Sequence, residues 1–236
     1  MNIFLPRTPG TVRVDRYMVR LPFKNTSTHL GSSKVHAESR LYSLERKLHA
    51  PTNVEYYNLY SDFIQDYLSL GHMQGCPTPD LSTPHYFLPY HGVFKAQSST
   101  TKLRVVFDAS AKTSSGLSLN DTLLTGPKLQ NNICDILLRF RLQNVVFSCD
   151  IRQMYRQIKA HPDDQHFQLI LWRDHPTDLM STFKLTTVTY GLNCSPYLAI
   201  KTLHQLAEDE GHRYPHAAEI LKHQSYVDDL NCSPYL

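Results

Sequence analysis

Apolar positions change their period several times along the chain, and each change marks an element. Ala37, Leu41, Leu44 and Leu48 recur at helical spacing and stop before Pro51. A second helical stripe holds Leu59, Tyr60, Phe63, Tyr67 and Leu70, with Gly71 in the place of a C-cap. From Tyr86 the runs become short and β-like: Tyr86–Leu88, Gly92–Lys95 and Leu103–Phe107, the last two joined by the polar turn 97–101 as a hairpin. Pro127 opens a helix whose core face is Leu129, Ile133, Ile136, Leu137 and Phe140. Val145–Cys149 then predicts a buried strand that ends in Asp150. Two more strands are expected over 167–172 and 182–190, and Gly191 breaks the second. Ser195-Pro196 caps a helix carrying Leu198, Leu203, Leu206 and Ala207, and a last short helix starts at Pro215. Residues 1 to about 34 mix Pro, Gly, Ser and Thr, so a loosely packed lead-in is expected there, with Tyr17–Pro22 its one candidate strand. Residues 1–84 therefore read as a mostly helical N-terminal extension, ahead of a mixed unit over 85–236.

Composition narrows the class without naming a function. The 236 residues suffice for a real core, and 41% apolar with 19% charged residues is ordinary for a soluble globular protein. A net charge of +3 suits a polyanionic partner but does not demand one. Five cysteines (76, 134, 149, 194 and 232) show no metal-type spacing and read as reduced thiols of an intracellular protein, cytoplasmic or nuclear and not secreted. Met1–Pro6 is too short an apolar run for a signal peptide, and no membrane span follows. The sequons at Asn25, Asn120, Asn193 and Asn231 are incidental on that reading.

The candidate chemistry lies in acids at the ends of β-type runs. Ser225-Tyr226-Val227-Asp228-Asp229-Leu230 has apolar flanks around two adjacent carboxylates, the form of a tight hairpin. Like charges side by side raise each other's pKa, and a divalent cation with a taste for oxygen ligands removes the conflict. A solvated turn accounts for the same letters. Asp150 and Asp228, 78 positions apart, each end a β-type run. Carboxylates on neighbouring strands can hold two cations about 3.5–4 Å apart, the spacing that clamps the oxygens of phosphoryl transfer. Lys95, Lys102 and Arg104 sit at the mouth of the first hairpin, either as ordinary surface cations or as a grip for a triphosphate. The loop His161–His166 reads first as an exposed turn and second as a metal site. Asp108-Ala109-Ser110 lacks the Gly that an aspartic-protease turn needs.

Three segments, Phe147-Ser148-Cys149-Asp150-Ile151, Tyr190–Pro196 and Tyr226–Leu230, resemble successive polymerase motifs of reverse transcriptases. Lys102–Asp108 fits as a fourth in the right order, and the wording of 101–116 is especially similar to the Pao/Bel group of long-terminal-repeat retrotransposons. The resemblance implies an α+β right-hand fold of fingers (about 85–120 and 160–192) and palm (about 121–159 and 193–236); the family's thumb is expected to be absent here, a departure from its pattern. It implies two Mg²⁺ ions, with Mn²⁺ as the substitute, held by Asp150, Asp228 and the Ile151 carbonyl, with Asp229 beside them. It implies that Arg104 and Lys95 contact a dNTP, and that Tyr155 blocks a ribose 2′-hydroxyl, where a core aromatic is the other reading. Gly191, Ser195 and Pro196 match the turn and helix start that support template and nascent base pair. Tyr190 stands where many relatives have Gln.

The implied function is RNA-directed DNA polymerisation on an RNA or DNA template with a primer, with no membrane partner. The alternatives are a non-catalytic remnant that at most binds nucleic acid weakly, and a two-metal nuclease. The heptad Leu192–Leu198 recurs letter for letter as Leu230–Leu236, which leads us to expect a rearranged or truncated palm.

Overall fold

The structure, a computed structural model, describes residues 3–4, 16–24, 30–95, 97, 102–142 and 144–232. Positions 98–101 of the expected hairpin turn and 233–236 of the repeated heptad lie outside these.

Helices α1 (Lys34–Leu48) and α2 (Val54–Ser69) form where the periodicity put them. α1 buries Ala37, Leu41, Leu44 and Leu48 on one stripe, and α2 buries Tyr60, Ile64 and Tyr67. Gly71 follows α2 at φ +67°, a backbone state that costs Gly little. The strands are β1 (Ile3–Phe4), β2 (Met18–Val19), β3 (Met73–Gly75), β4 (Tyr90–Phe94), β5 (Leu103–Phe107), β6 (Phe147–Asp150), β7 (Lys159–Ala160), β8 (Leu169–Trp172), β9 (Ser181–Leu185), β10 (Ser225–Tyr226) and β11 (Asp229–Cys232). The remaining helices are α3 (Leu119–Thr122), α4 (Ile133–Arg141), α5 (Ser195–Glu210) and α6 (Pro215–His223). Among the described residues the strands form four small sheets, ordered β1-β2-β7, β10-β11-β6, β3-β9-β8 and β4-β5.

The core is centred on β8, whose four residues are all buried. α1 packs on it, the Tyr90 hydroxyl donates to the Leu171 carbonyl at 2.7 Å, and Trp172 stacks parallel to Tyr60 with ring centres 6.2 Å apart. Just past β8, Arg173 grips Glu45 of α1 through two bonds of 2.7 and 2.9 Å. One hydrophobic cluster thus takes in α1, α2, the β4–β5 hairpin and β8, so the helical segment 30–84 and the mixed unit after it share one core.

The described part of the lead-in is better packed than its composition suggests. Val19 and Leu21 are buried, and β2 pairs in parallel with β7. The cause lies in 161–167, where a 3₁₀ turn (Pro162–Phe167) replaces the expected exposed loop and points Asp164 and Gln165 inward. Asp164 accepts from the Leu21 amide at 2.8 Å and pairs with Arg20 at 3.0 Å, which fastens the lead-in.

Two further expectations are corrected. α4 starts at Ile133 rather than at Pro127, because the Asn132 side chain caps it by accepting from the Cys134 amide. Of its expected core face only Ile136 is buried. β6, expected to be buried, is exposed along its whole length. Among the described residues it forms the outer strand of its sheet and pairs with β11 alone, while α4 packs on β11.

Candidate active site

β10 and β11 make a hairpin, with Tyr226 opposite Asp229, so Val227 and Asp228 form its two-residue turn. Val227 takes φ +56°, a left-handed state that costs a β-branched residue on the order of 1–3 kcal/mol. The turn is held on both sides: the buried Ser225 hydroxyl donates to the Leu221 carbonyl at 2.8 Å, and the Ile151 amide donates to the Asp228 carbonyl at 2.8 Å. β11 also pairs antiparallel with β6, and the register sets Asp229 directly opposite Asp150. The acids at 150 and 228 therefore stand on adjoining segments, joined through the backbone of the residue after one of them.

This arrangement fits a hard cation that arrives hydrated. Asp150 and Asp229 are exposed and Asp228 is half-exposed; none of the three enters an ion pair among the described residues. Among those residues no group of three or more His, Cys, Asp or Glu side chains gathers to hold an ion. Such a site supplies one or two carboxylates and leaves the remaining positions to water and substrate oxygens, which is how Mg²⁺ is usually bound. The Ile151 carbonyl already accepts the Met154 amide at 3.1 Å, which leaves it a second lone pair.

Tyr190 gathers the charges of the site. Burial raises its pKa first, Asp228 and Asp150 push the same way, and Arg156 and Arg104 pull it back. The phenol therefore senses both acids, the Arg104 of β5 and the Arg156 that follows Tyr155. The Tyr155 ring meets that of Tyr190 edge to face, with centres 4.6 Å apart. Tyr155 belongs to the buried cluster, and burial raises its pKa, helped by Tyr190 and then Asp228. It is thus a core aromatic that also borders the acids. Behind it, Arg156 lies over the Tyr67 ring at 4.9 Å, and its buried Nε has no partner among the described residues. Arg156 and Arg16 both lower the pKa of His72, after burial, the largest cause. Tyr67 and His72 come from the helical extension, so that segment forms the back wall of the site.

Gly191 takes φ +98°, and a side chain there would run into the Phe107 carbonyl at the end of β5. The glycine thus lets the segment before α5 lie against the hairpin. Ser195 does not cap α5 as expected. Cys194 holds the cap position, and the buried Ser195 hydroxyl instead donates to the Thr189 carbonyl at 2.6 Å; Pro196 follows in the first turn. Arg104 is exposed on β5 opposite Val93, with no ion pair among the described residues, whereas Lys102 is held by Glu55 at 2.7 Å. Lys95 is exposed just past β4.

Sequence reasoning missed Asn120 and Arg156. Asn120 donates to the Gly191 carbonyl at 3.0 Å and accepts the Asn193 amide at 2.9 Å, while the Asn193 side chain donates back to the Asn120 carbonyl. The one available signal was Ser118-Leu119-Asn120-Asp121, whose Ser and Asp form the capping box of α3. Arg156 carried no signal beyond its place next to Tyr155.

No family model matches the chain, and no curated protein does. Solved structures do. The chain is similar to a foamy viral protease–reverse transcriptase solved in complex with double-stranded DNA, with 19% identity and a TM-score of 0.51 over 75% of this chain and 25% of that one. It is likewise similar to a prototype foamy virus protease–reverse transcriptase, with 20% identity and a TM-score of 0.52 over 74% of this chain and 19% of the other. The α+β fold is therefore reverse-transcriptase-like, and the chain spans about a quarter or less of these neighbours. No helix among the described residues is long and apolar enough to cross a membrane.

Proposed function

We propose that the chain is the fingers-and-palm part of an RNA-directed DNA polymerase of the Pao/Bel retrotransposon type, adding dNTPs to a primer 3′-hydroxyl on an RNA or DNA template. The observation that carries this reading is the pairing of β6 with β11, which sets Asp150 beside the Val227-Asp228 turn. Asp150 and Asp228, with the Ile151 carbonyl and Asp229 close by, would hold the Mg²⁺ ions. When bound, these supply Lewis-acid neutralisation of phosphate charge and a lowered pKa for the primer hydroxyl.

The chain's own residues do the positioning. Arg104, exposed and without an acidic partner among the described residues, offers a bidentate fork to a nucleotide phosphate, and Lys95 adds a point charge at the end of the same hairpin. Tyr155 is held by Tyr190 and the core, so its ring cannot retreat from a sugar placed against it; a 2′-hydroxyl meets that ring and a deoxyribose does not. Gly191 presents bare backbone between Tyr190 and α5. Ser195 and Pro196 fix the first turn of α5, where the template and nascent base pair would rest.

A primer-extension assay with Mg²⁺ tests the reading. We expect dNTP incorporation that falls by about a thousand-fold or more in Asp228→Asn, as expected when two-metal chemistry loses a ligand, with an unchanged melting curve. Absence of incorporation at every protein concentration would point to the non-catalytic remnant. Degradation of the nucleic acid without dNTPs would point to a nuclease.

A further inference from the structure

A cavity of about 320 Å³, lined by neither Asp150 nor Asp228, lies between α1 and β4. Arg40, Ser43 and Lys47 of α1 line one wall, and His91 and Tyr56 line the other. The three α1 residues recur at i, i+3 and i+7, so they form one stripe of the helix surface. That stripe puts its two cations about 10 Å apart along the axis.

The charge in this groove is one-sided. Arg40, Lys47 and His91 are exposed, and none of them enters an ion pair among the described residues. The acids of α1 are engaged elsewhere: Glu45 is turned into the core and held by Arg173, and Glu38 faces Lys34 at 3.8 Å. Among the described residues no carboxylate lines the cavity. Two cations that are free of acids and share a helix face repel each other mildly, and an anion laid along the stripe relieves that repulsion.

The opposite wall is built rather than accidental. The Tyr56 hydroxyl donates to the Gly92 carbonyl at 3.2 Å, and its ring meets Tyr60 at 90°. A side chain at Gly92 would come within 2.5–2.7 Å of the Tyr60 and Tyr56 hydroxyls and of Leu103, so the strand and α2 are in contact with no slack. His91, the next residue back along this fixed strand, is opposite Val106 on the exposed face of the hairpin and lines the rim of the groove. The strand carrying it pairs with β5, which bears Arg104, so groove and candidate active site share one hairpin.

Cations spaced along a line beside a groove that also carries an exposed imidazole are the chemistry of sequence-independent single-strand binding. We infer that the groove between α1 and β4 binds the phosphate backbone of a single nucleic-acid strand, with Arg40 and Lys47 on phosphates and His91 against a base. On the polymerase reading, on which this assignment of the strand rests, the occupant is unpaired template that continues past the hairpin. The helical extension is then a nucleic-acid-binding element, not only a buttress.

The test uses the full chain without Mg²⁺ or dNTPs, so it does not depend on catalysis. Fluorescence anisotropy of a labelled single-stranded oligonucleotide is followed against salt for wild type, the double variant Arg40→Gln/Lys47→Gln, and Arg46→Gln. Arg46 is an exposed cation of the same helix that bonds to the Tyr42 carbonyl and the Ser43 hydroxyl and does not itself line the groove. Loss of two phosphate contacts should flatten the slope of log K against log salt by about 1.4 and weaken binding about ten-fold at low salt, with Arg46→Gln near wild type. Equal losses in both variants, or an unchanged slope in the double variant, would overturn the proposal. So would tighter binding of a phosphopeptide than of the oligonucleotide. Normal primer extension with an unchanged slope sinks the groove alone. Groove-dependent binding with no extension sinks the polymerase reading and leaves the groove standing.

Discussion

Strands β8 and β6 are each four residues long, and both lie in apolar stretches of sequence, yet one is wholly buried and the other wholly exposed. β8 has a partner strand on one edge, α1 across it, and the Tyr86–Leu88 segment bonded along it. β6 has β11 on one edge and, among the described residues, no strand on the other. Hydrophobicity of the run did not decide burial; the number of elements that reach it did. The contrast also divides labour. The β8 layer carries stability, and the β6 sheet displays groups to solvent, among them the acids.

The sharpest way to break this division is to truncate one residue on each strand. Leu169→Ala should cost about 3–4 kcal/mol, since a fully buried leucine leaves a cavity that close packing cannot fill. Phe147→Ala, on a ring half in water, should stay within about 0.5 kcal/mol. Both are read by denaturant melts, and similar losses would abolish the comparison. Next in size is Gly191→Ala, where the segment before α5 meets the end of β5. A left-handed backbone and a clash with the Phe107 carbonyl should together cost about 2–3 kcal/mol. If that variant melts like wild type, the close approach between hairpin and α5 segment is wrong.

The smallest effect is a pH slope. Burial, and then Arg156 and Arg16, hold His72 below the ordinary histidine value of 6.5, so the unfolded chain binds more protons than the folded one as the pH drops. The stability that neutral His72 contributes is complete above the unfolded pKa and is lost as the pH falls below it. His204, lowered by burial and by Lys201 and Lys222, acts with the same sign. The melting temperature should therefore fall between about pH 8 and about pH 5. The fall should be shallower, though not absent, in His72→Phe, which removes this titration together with the ring's bond to Gln153. An identical slope in that variant would remove His72 from the account.

What could be read from the sequence were features that one stretch of chain settles alone. Helices α1 and α2, the β4–β5 hairpin, the Pro215 helix start and the acidic turn all declare themselves through local period or local turn chemistry. Features that need a distant partner could not be read. Asp164 looks like a loop acid until Leu21 and Arg20 arrive from more than a hundred positions away. Asn120 looks like a surface amide until Gly191 and Asn193 close on it. The exposure of β6 is of the same kind, since Val145, Val146 and Phe147 carry no mark of what fails to cover them.

Val227 has one further consequence. Its branched side chain makes the hairpin a loaded spring: the backbone holds an unfavourable angle because the two flanking segments keep it there. A glycine at that position would relax the turn and make the chain more robust to heat. The same freedom would let the neighbouring carboxylate wander, trading precision for durability.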